Sequence, residues 1–163
     1  MARLNSNGTI DPTFTADVTF VNAFDVKVNT KLLSNGKILV WGKFDTVNGA
    51  TRRDVAVLNN NGSLDTTFNP ATSGAEILLS VPVQSDGKII IGSNNFRYNT
   101  PVRGNVARLN ADGTVDQTFN QGRGIGGGAV RALKIRSNTR LLIGGNFYRY
   151  HIFPRSGLVQ INL

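Results

Sequence analysis

The side chains that most often carry out enzyme chemistry are scarce in this chain of 163 residues. His151 is the only histidine, Glu76 is the only glutamate, and cysteine is absent. A general acid or base needs a positioned partner, and no Ser–His–Asp arrangement or pair of carboxylates recurs at a fixed spacing. Without cysteine there is no thiol nucleophile, disulfide or cysteine-ligated metal site. We therefore predict that the protein is not an enzyme and has no catalytic residues, metal or cofactor.

The aspartates that do recur are candidate ligands for a hard cation. Asp11, Asp65 and Asp116 follow one another at intervals of 54 and 51 residues. A hard-cation site needs several oxygen atoms from one short loop, whereas only one aspartate recurs at each interval. Aspartates in turns commonly accept hydrogen bonds from nearby backbone amides. We interpret these three as structural residues.

A glycine-rich segment, Gly122–Gly127, has the spacing G-x-G-x-x-G. A dinucleotide-binding loop with this spacing lies between a strand and a helix. No helical pattern follows here, and the segment aligns with the loop Asn69–Glu76. We therefore predict a flexible inserted loop rather than a phosphate-binding loop.

Positive charge is concentrated in the second half of the chain. Residues 1–81 contain seven Lys or Arg and seven Asp or Glu, whereas residues 82–163 contain eleven and three, so the second half carries the whole charge of +8. No acidic residue follows Asp116. Arginine favours planar anions such as carboxylate, sulfate or phosphate. We predict an anion- or partner-binding surface formed by Arg123, Arg131, Arg136, Arg149, Arg155, Tyr148 and Tyr150.

The chemistry of these residues leaves several partners open. An anionic glycan or an acidic protein surface would suit the arginines. Nucleic acid is disfavoured because no recognised nucleic-acid-binding motif accompanies them. Two simpler interpretations stay open as well: the charges are a solvated surface, or they form pairs across an oligomer joint.

Internal repeats organise these residues. Residues 2–14, 56–68 and 107–119 match one another, and a second motif alternates with them at residues 36–44, 87–96 and 139–147. The chain is therefore a single repeat array, with repeats at about 2–55, 56–106 and 107–158, and residues 159–163 begin a fourth.

Each repeat has the pattern of four antiparallel strands. Asn-Gly and Asp-Gly pairs predict two-residue hairpin turns, and three consecutive apolar residues after the second turn predict a strand covered on both faces. The third copy of this turn has Asn138 without a following glycine, so we expect a different turn there. Four-stranded units stacked around an axis are the blades of a β-propeller. Aromatic residues at equivalent positions are expected in the blade core: Phe14, Phe68, Phe119, Phe44, Phe96 and Phe147.

The pattern Arg-Leu-Asn-x-Asp/Asn-Gly-Thr-x-Asp-x-Thr-Phe, followed by Asp-Gly-Lys-Ile-Ile-Ile-Gly, resembles the delta-60 repeat family of β-propellers. The resemblance covers nearly the whole chain, although Trp41 and Ser93 replace glycines of the second motif. It implies a propeller fold in bacterial surface or secreted proteins and in phage virion proteins. It implies no catalytic residues.

Three repeats are too few to close a propeller ring, which commonly has about 4–8 blades. Either the chain is a segment of a longer propeller, or copies associate head-to-tail, most simply as a homodimer with six blades. No stretch approaches the roughly 18 apolar residues of a membrane span, and residues 1–5 show no signal peptide. We expect a structural or binding module that is extracellular or in a virion (a tail, fibre or capsid-decorating protein). The alternatives are a carbohydrate- or protein-binding domain of a secreted or cell-surface bacterial protein and, least favoured, a propeller hydrolase.

Overall fold

The computed structural model describes residues 1–20, 28–70, 78–93, 105–119, 124–137 and 139–163. Within these ranges every regular element is a β-strand, which confirms the all-β prediction. The chain forms two compact units, Met1–Phe68 and Asn69–Leu163. The described ranges hold no helix with the length and hydropathy needed to cross a bilayer.

The first unit contains two antiparallel sheets. The larger has the strand order β2-β3-β6 and the smaller has the order β1-β4-β5. Val40 of the central strand β3 lies opposite Thr30 and Ala56. The strands are β1 (Val18–Thr19), β2 (Val28–Leu32), β3 (Ile38–Gly42), β4 (Thr46–Val47), β5 (Ala50–Thr51) and β6 (Val55–Leu58).

The second unit contains two larger sheets, β7-β8-β9 and β11-β12-β15, and one smaller sheet, β10-β13-β14. Ser80 Oγ accepts a hydrogen bond from Leu133 N at 3.0 Å, and residues of both larger sheets share one core. The two sheets therefore pack face to face, as neighbouring blades do. The strands are β7 (Leu78–Ser80), β8 (Ile89–Ser93), β9 (Val106–Leu109), β10 (Ile125–Gly126), β11 (Val130–Ser137), β12 (Arg140–Gly145), β13 (Arg149–Tyr150), β14 (Phe153–Pro154) and β15 (Leu158–Asn162).

The runs of three apolar residues form the central strand of each larger sheet. In β8, Ile89, Ile90 and Ile91 are all buried, so this strand is covered on both faces as its sequence predicts. In β12, Leu141 and Ile143 are buried, whereas Leu142 on the opposite face is only half-buried.

The fourth strand of each repeat is reduced to a single bridge. Leu58 pairs with Leu64, and Leu109 pairs with Val115, as isolated antiparallel bridges. The equivalent bridge near the N-terminus joins Leu4 to Ile10. The sheets β2-β3-β6 and β7-β8-β9 therefore have three strands each, because pairing beyond β6 and β9 ends after one residue, where the aspartate turn begins.

The hairpin turns predicted from the repeats have three loop residues, so the prediction of two residues for them was wrong. Asn5 N donates to Thr9 O at 2.8 Å, and Gly8 N donates to Asn5 O at 2.9 Å. Of the loop residues only Gly8 has a positive φ, and Asn7 Oδ1 instead accepts a hydrogen bond from Thr9 N at 3.1 Å. This is a type I turn followed by a left-handed glycine. The other four predicted turns, at Asn35, Asn61, Asp86 and Asp112, show the same bonds. Asn48-Gly49 instead forms a two-residue loop between the paired Val47 and Ala50. Asn138 lies outside the described residues.

The recurring phenylalanines lie in the cores. In the first unit Phe14 and Phe44 pack with Val40, Ala56 and Leu58. In the second unit Phe119 and Phe147 belong to one cluster that also contains residues of β8, β9, β12 and β15. Phe68 is buried too. Phe96 lies outside the described residues.

Candidate functional site

Each unit carries its smaller sheet in an equivalent place, built from one short strand and one tight hairpin. The backbone hydrogen bonds of the two sheets correspond, although their turns differ: Asn48 and Gly49 both have positive φ, whereas in the second turn only His151 does. Asn48 N donates to Asp17 O at 2.8 Å in the first unit, and His151 N donates to Gly124 O at 2.7 Å in the second. The paired residues are Val18↔Val47 and Thr19↔Thr46 in one sheet, and Ile125↔Tyr150 and Gly126↔Arg149 in the other.

In the first unit this hairpin carries mostly small and polar side chains. Residues 45–52 read Asp-Thr-Val-Asn-Gly-Ala-Thr-Arg. Asn48 Oδ1 accepts from Asp17 N at 2.7 Å, and its Nδ2 donates to Gly62 O at 3.0 Å. The hydroxyl groups of Thr19 and Thr46 are hydrogen-bonded across the strands. These side chains bond to the unit itself.

In the second unit the equivalent hairpin is aromatic and basic. Residues 148–155 read Tyr-Arg-Tyr-His-Ile-Phe-Pro-Arg. Ile152 is 74% exposed, Tyr148 60% and Phe153 57%, and Arg149 and Arg155 are exposed beside them. Adjacent exposed apolar side chains are a mark of interaction sites. We call these five residues (Tyr148, Arg149, Ile152, Phe153 and Arg155) the hairpin surface.

Two glycines make room for the large side chains of this hairpin. A Cβ atom on Gly127 would overlap the ring of Tyr148, and one on Gly126 would overlap the guanidinium group and Cγ of Arg149. The flexible loop predicted for Gly122–Gly127 was wrong at its end, because Ile125 and Gly126 form strand β10. Gly122 and Arg123 lie outside the described residues.

The two smaller sheets carry their larger side chains on opposite strands. In the first unit the short strand has side chains, Thr19 followed by Phe20, and the hairpin opposite has the smaller Asp45 and Thr46. In the second unit the short strand has glycines and the hairpin has the large residues. One pattern of backbone hydrogen bonds thus accommodates either arrangement, so this pattern does not require the residues of the hairpin surface.

Tyr150 anchors the hairpin to the core. It is half-buried and packs against the cluster of the second unit, and burial raises the pKa of its phenol. Its ring lies 4.3 Å from that of His151, centroid to centroid. His151 has φ +55°, a left-handed conformation that histidine adopts more often than most residues. Tyr150 therefore positions the hairpin, and its neighbours provide the exposed surface.

The structure gathers some of the predicted binding residues and separates others. Tyr148, Arg149, Tyr150 and Arg155 share one hairpin. Arg131 and Arg136 lie exposed on β11 of another sheet, where Arg136 Nη1 donates to Gln160 Oε1 at 3.1 Å. Arg123 is outside the described residues.

Sequence reasoning missed Ile152 and Phe153, and it assigned Gly126 and Gly127 to a loop rather than to positions that leave room for Tyr148 and Arg149. Aligning residues 147–157 with residues 44–54 would have found the first two, because the hairpin is polar in one copy and apolar in the other.

The recurring aspartates bind their own turns. Asp11 Oδ1 accepts from Thr13 N at 2.8 Å and from Thr13 Oγ1 at 2.6 Å. Its Oδ2 accepts from Arg3 Nε at 2.9 Å. The Thr13 hydroxyl and amide, followed by Arg3, lower the pKa of Asp11 to about 2.

In the second unit the aspartate has two cations. Asp116 Oδ2 lies 2.9 Å from Lys88 Nζ and 3.0 Å from Arg108 Nη2, while Oδ1 accepts from Thr118 N and Oγ1. Burial raises the pKa of Asp116, but the bonds from Thr118, Lys88 and Arg108 outweigh it and hold the pKa well below its ordinary value. The guanidinium of Arg108 also lies over Phe119, 4.8 Å from the ring centroid.

The first unit has a lysine in the corresponding place. Lys37 Nζ donates to Asp65 Oδ2 at 2.6 Å, and Thr67 donates to Oδ1. Burial raises the pKa of Asp65, yet the bonds from Lys37 and Thr67 leave it below the ordinary value. Among the described residues, no three His, Asp or Glu side chains gather where they could hold a metal ion. The chemistry of these aspartates is that of ion-paired structural groups.

One family model, described as a domain of unknown function (DUF5122) beta-propeller, matches residues 1–14, 33–68 and 84–119, which together are more than half of the chain. The matched ranges contain the Asn-Gly and Asp-Gly turns and the three aspartates, and the hairpin surface lies outside them. No curated protein and no solved structure matches the chain.

Proposed function

The chain belongs to the DUF5122 family of β-propeller domains, and from this premise we propose that it is a non-catalytic structural and binding module. The observation that carries the proposal is the contrast between two equivalent hairpins. One bonds to its own unit through polar side chains, and the other exposes aromatic, apolar and basic side chains that the backbone does not need.

The partner that suits this surface is anionic. Arg149 and Arg155 are exposed on the hairpin, and no Asp or Glu occurs in residues 117–163. A cationic surface without interspersed acids attracts anions, and its arginines pair well with carboxylates. Arg131 and Arg136 on β11 extend the positive charge of the same unit. Nucleic acid is not proposed, because no nucleic-acid-binding motif accompanies the arginines.

Replacing both arginines of the hairpin with glutamine (R149Q/R155Q) is expected to weaken binding to immobilised poly-glutamate about tenfold at low salt, because each exposed ion pair contributes up to about 1 kcal/mol. Biolayer interferometry of the purified chain measures this. Binding by the unaltered chain should also weaken as salt is added.

The matched control is Arg52→Gln, because Arg52 N and Arg155 N donate to equivalent carbonyl oxygens in the two smaller sheets. This variant should bind as tightly as the unaltered chain, because Arg52 is half-buried and lies outside the hairpin surface. If R149Q/R155Q and the unaltered chain bind poly-glutamate equally, the hairpin is not the binding site.

We also propose that copies of the chain associate into a closed ring, most simply a homodimer. Leu4, Ile10 and Leu32 are exposed in the first unit, and Leu158 is exposed in the second, on strands or bridges where a further blade would cover them. Because β15 already pairs along β12, contact through sheet faces suits the structure better than exchanged strands. Sedimentation velocity is expected to show a dimer, and a stable, well-folded monomer at micromolar concentration would contradict this.

For the setting we propose an extracellular assembly, with a phage tail, fibre or capsid-decorating protein preferred. A module that binds through one edge hairpin and associates with copies of itself suits such an assembly. The alternative is a carbohydrate- or protein-binding domain of a secreted or cell-surface bacterial protein, and a propeller hydrolase ranks last. Mass spectrometry of purified virions against the secreted fraction distinguishes the first two, and absence from both would count against the setting.

A further inference from the structure

We propose that the hairpin surface binds an acidic protein segment that carries an apolar side chain, rather than an anionic polysaccharide. This inference rests on the proposed binding function and specifies its partner. Arg149 and Arg155 suit either kind of ligand, so the choice depends on the other three residues.

The apolar residues favour a protein. Ile152 is the most exposed large apolar residue described, at 74%, and Phe153 next to it is 57% exposed. Carboxylates and hydroxyls of a polysaccharide give an isoleucine side chain little to pack against. An apolar side chain of a protein segment removes this surface from water, which is favourable in proportion to the area buried.

The composition of the hairpin agrees with this. Tyrosine, phenylalanine and arginine are enriched in the cores of protein interfaces, and Lys, Glu, Asp, Ser and Ala are depleted. Residues 148–155 contain two Tyr, one Phe and two Arg, and none of the depleted types. The equivalent residues 45–52 contain Asp and Ala, with no aromatic residue.

Tyr148 is held ready for contact. Its ring lies over Gly127, where any side chain would displace it, and Arg149 lies over Gly126 in the same way. The backbone on each side is fixed, because Tyr148 O accepts a hydrogen bond from Arg155 N at 3.1 Å. Binding therefore orders few additional side chains, which limits its entropic cost.

Side chains, rather than an added strand, make the contact. The smaller sheet has the order β10-β13-β14, so β14 lies at an edge. Of its two residues, Pro154 has no N–H to donate, and proline at an edge discourages strand addition. The partner segment consequently needs acidic and apolar side chains but no particular backbone conformation.

The test compares three immobilised polymers: poly-glutamate, a random copolymer of glutamate and tyrosine, and polygalacturonate. We expect the copolymer to bind the unaltered chain about tenfold more tightly than poly-glutamate. Tenfold corresponds to about 1.4 kcal/mol, close to the lower end of what burying one large apolar side chain contributes. Replacing the apolar pair (I152N/F153S) should remove this preference, so that the variant binds the copolymer and poly-glutamate about equally.

The possible outcomes separate the inference from the function on which it rests. Two results would contradict the inference of a protein partner: equal binding of copolymer and poly-glutamate, or binding of polygalacturonate as tight as that of the copolymer. Either result leaves the proposal of an anionic partner standing. If R149Q/R155Q binds all three polymers as tightly as the unaltered chain does, the proposed function itself is overturned. The single variant Ile152→Asn repeats the test with one substitution in the turn of the hairpin, where a folding defect is least expected. Hydrogen exchange of β11 and β12 verifies that each variant is folded.

Discussion

Replacing Asp116 with asparagine is expected to lower the free energy of unfolding of the second unit by about 3 kcal/mol. The carboxylate is buried and its Oδ2 lies within 3.0 Å of both Lys88 and Arg108. Asparagine keeps the shape but leaves two cations without their counter-charge, and breaking a buried ion pair by removing one partner costs about 3–5 kcal/mol. Native-state hydrogen exchange of β8 and β9 measures the loss in the unit that contains the change.

Asp112→Asn is the matched control, because asparagine already occupies the equivalent turn positions at Asn7 and Asn61. In all three turns an Oδ1 atom accepts from the backbone N–H two residues later. The control should change stability by no more than about 0.5 kcal/mol. Comparable losses in D116N and D112N would show that the ion pairs contribute nothing.

The effect of D116N should depend on pH in one direction. The folded-state pKa of Asp116 lies below the ordinary value of 3.8, so the unfolded chain takes up a proton at this position more readily than the folded chain. The contribution of Asp116 is therefore fully present above that value and is lost as the pH falls through the lower, folded-state pKa. The difference between the unaltered chain and D116N should stay constant from about pH 7 to pH 5 and shrink below about pH 4.

Gly62→Ala is expected to destabilise the first unit by about 3 kcal/mol. Gly62 has φ +87°, and a Cβ there would overlap the backbone carbonyl of Thr15, whose carbon would lie 2.7 Å away. The left-handed conformation costs alanine about 1–2 kcal/mol, and inserting an atom into a packed site costs about 1–3 kcal/mol more. Thr15 has little freedom to move, because its N–H donates to Asn61 O at 3.0 Å. Urea unfolding followed by the fluorescence of Trp41 measures this, since Trp41 is the only tryptophan and lies in β3.

Gly8→Ala separates the two causes. Gly8 occupies the equivalent turn position with φ +83°, but its Cβ would meet no atom within 4 Å. In this variant the free energy of unfolding should fall only by the cost of the left-handed conformation, about 1 kcal/mol. If both variants lose the same amount, the contact between Gly62 and Thr15 does not matter and only the turn conformation does.

The repeating parts of the fold follow directly from the sequence. Runs such as Ile89–Ile91 predict a central strand, and it is present and buried. The turn positions were predicted correctly although the loop length was not, because a Gly after Asn or Asp is common to two-residue and three-residue loops. Asn48-Gly49 forms a two-residue loop with the same residue pair that forms three-residue loops elsewhere, so the pair alone does not set the loop length.

The site was harder to predict, for a physical reason. Strands β10, β13 and β14 have two residues each, too few to show any periodicity. The charge count pointed to the stretch of chain that contains the proposed hairpin surface, since Arg149 and Arg155 belong to the acid-free end. It gave equal weight to Arg131 and Arg136, because a count of charges does not show that β13 and β14 pair into one hairpin that exposes Ile152 and Phe153 beside Arg149.

The two smaller sheets have one further consequence, which concerns how such a chain acquires new contacts. Their backbone hydrogen bonds correspond one to one, while their outward side chains have almost nothing in common. Substitutions at the outward positions of the hairpin can therefore change what the smaller sheet contacts without altering the backbone hydrogen bonds of that sheet. The outward surface of one smaller sheet can therefore differ from that of another within the same array, as it does between the two described here.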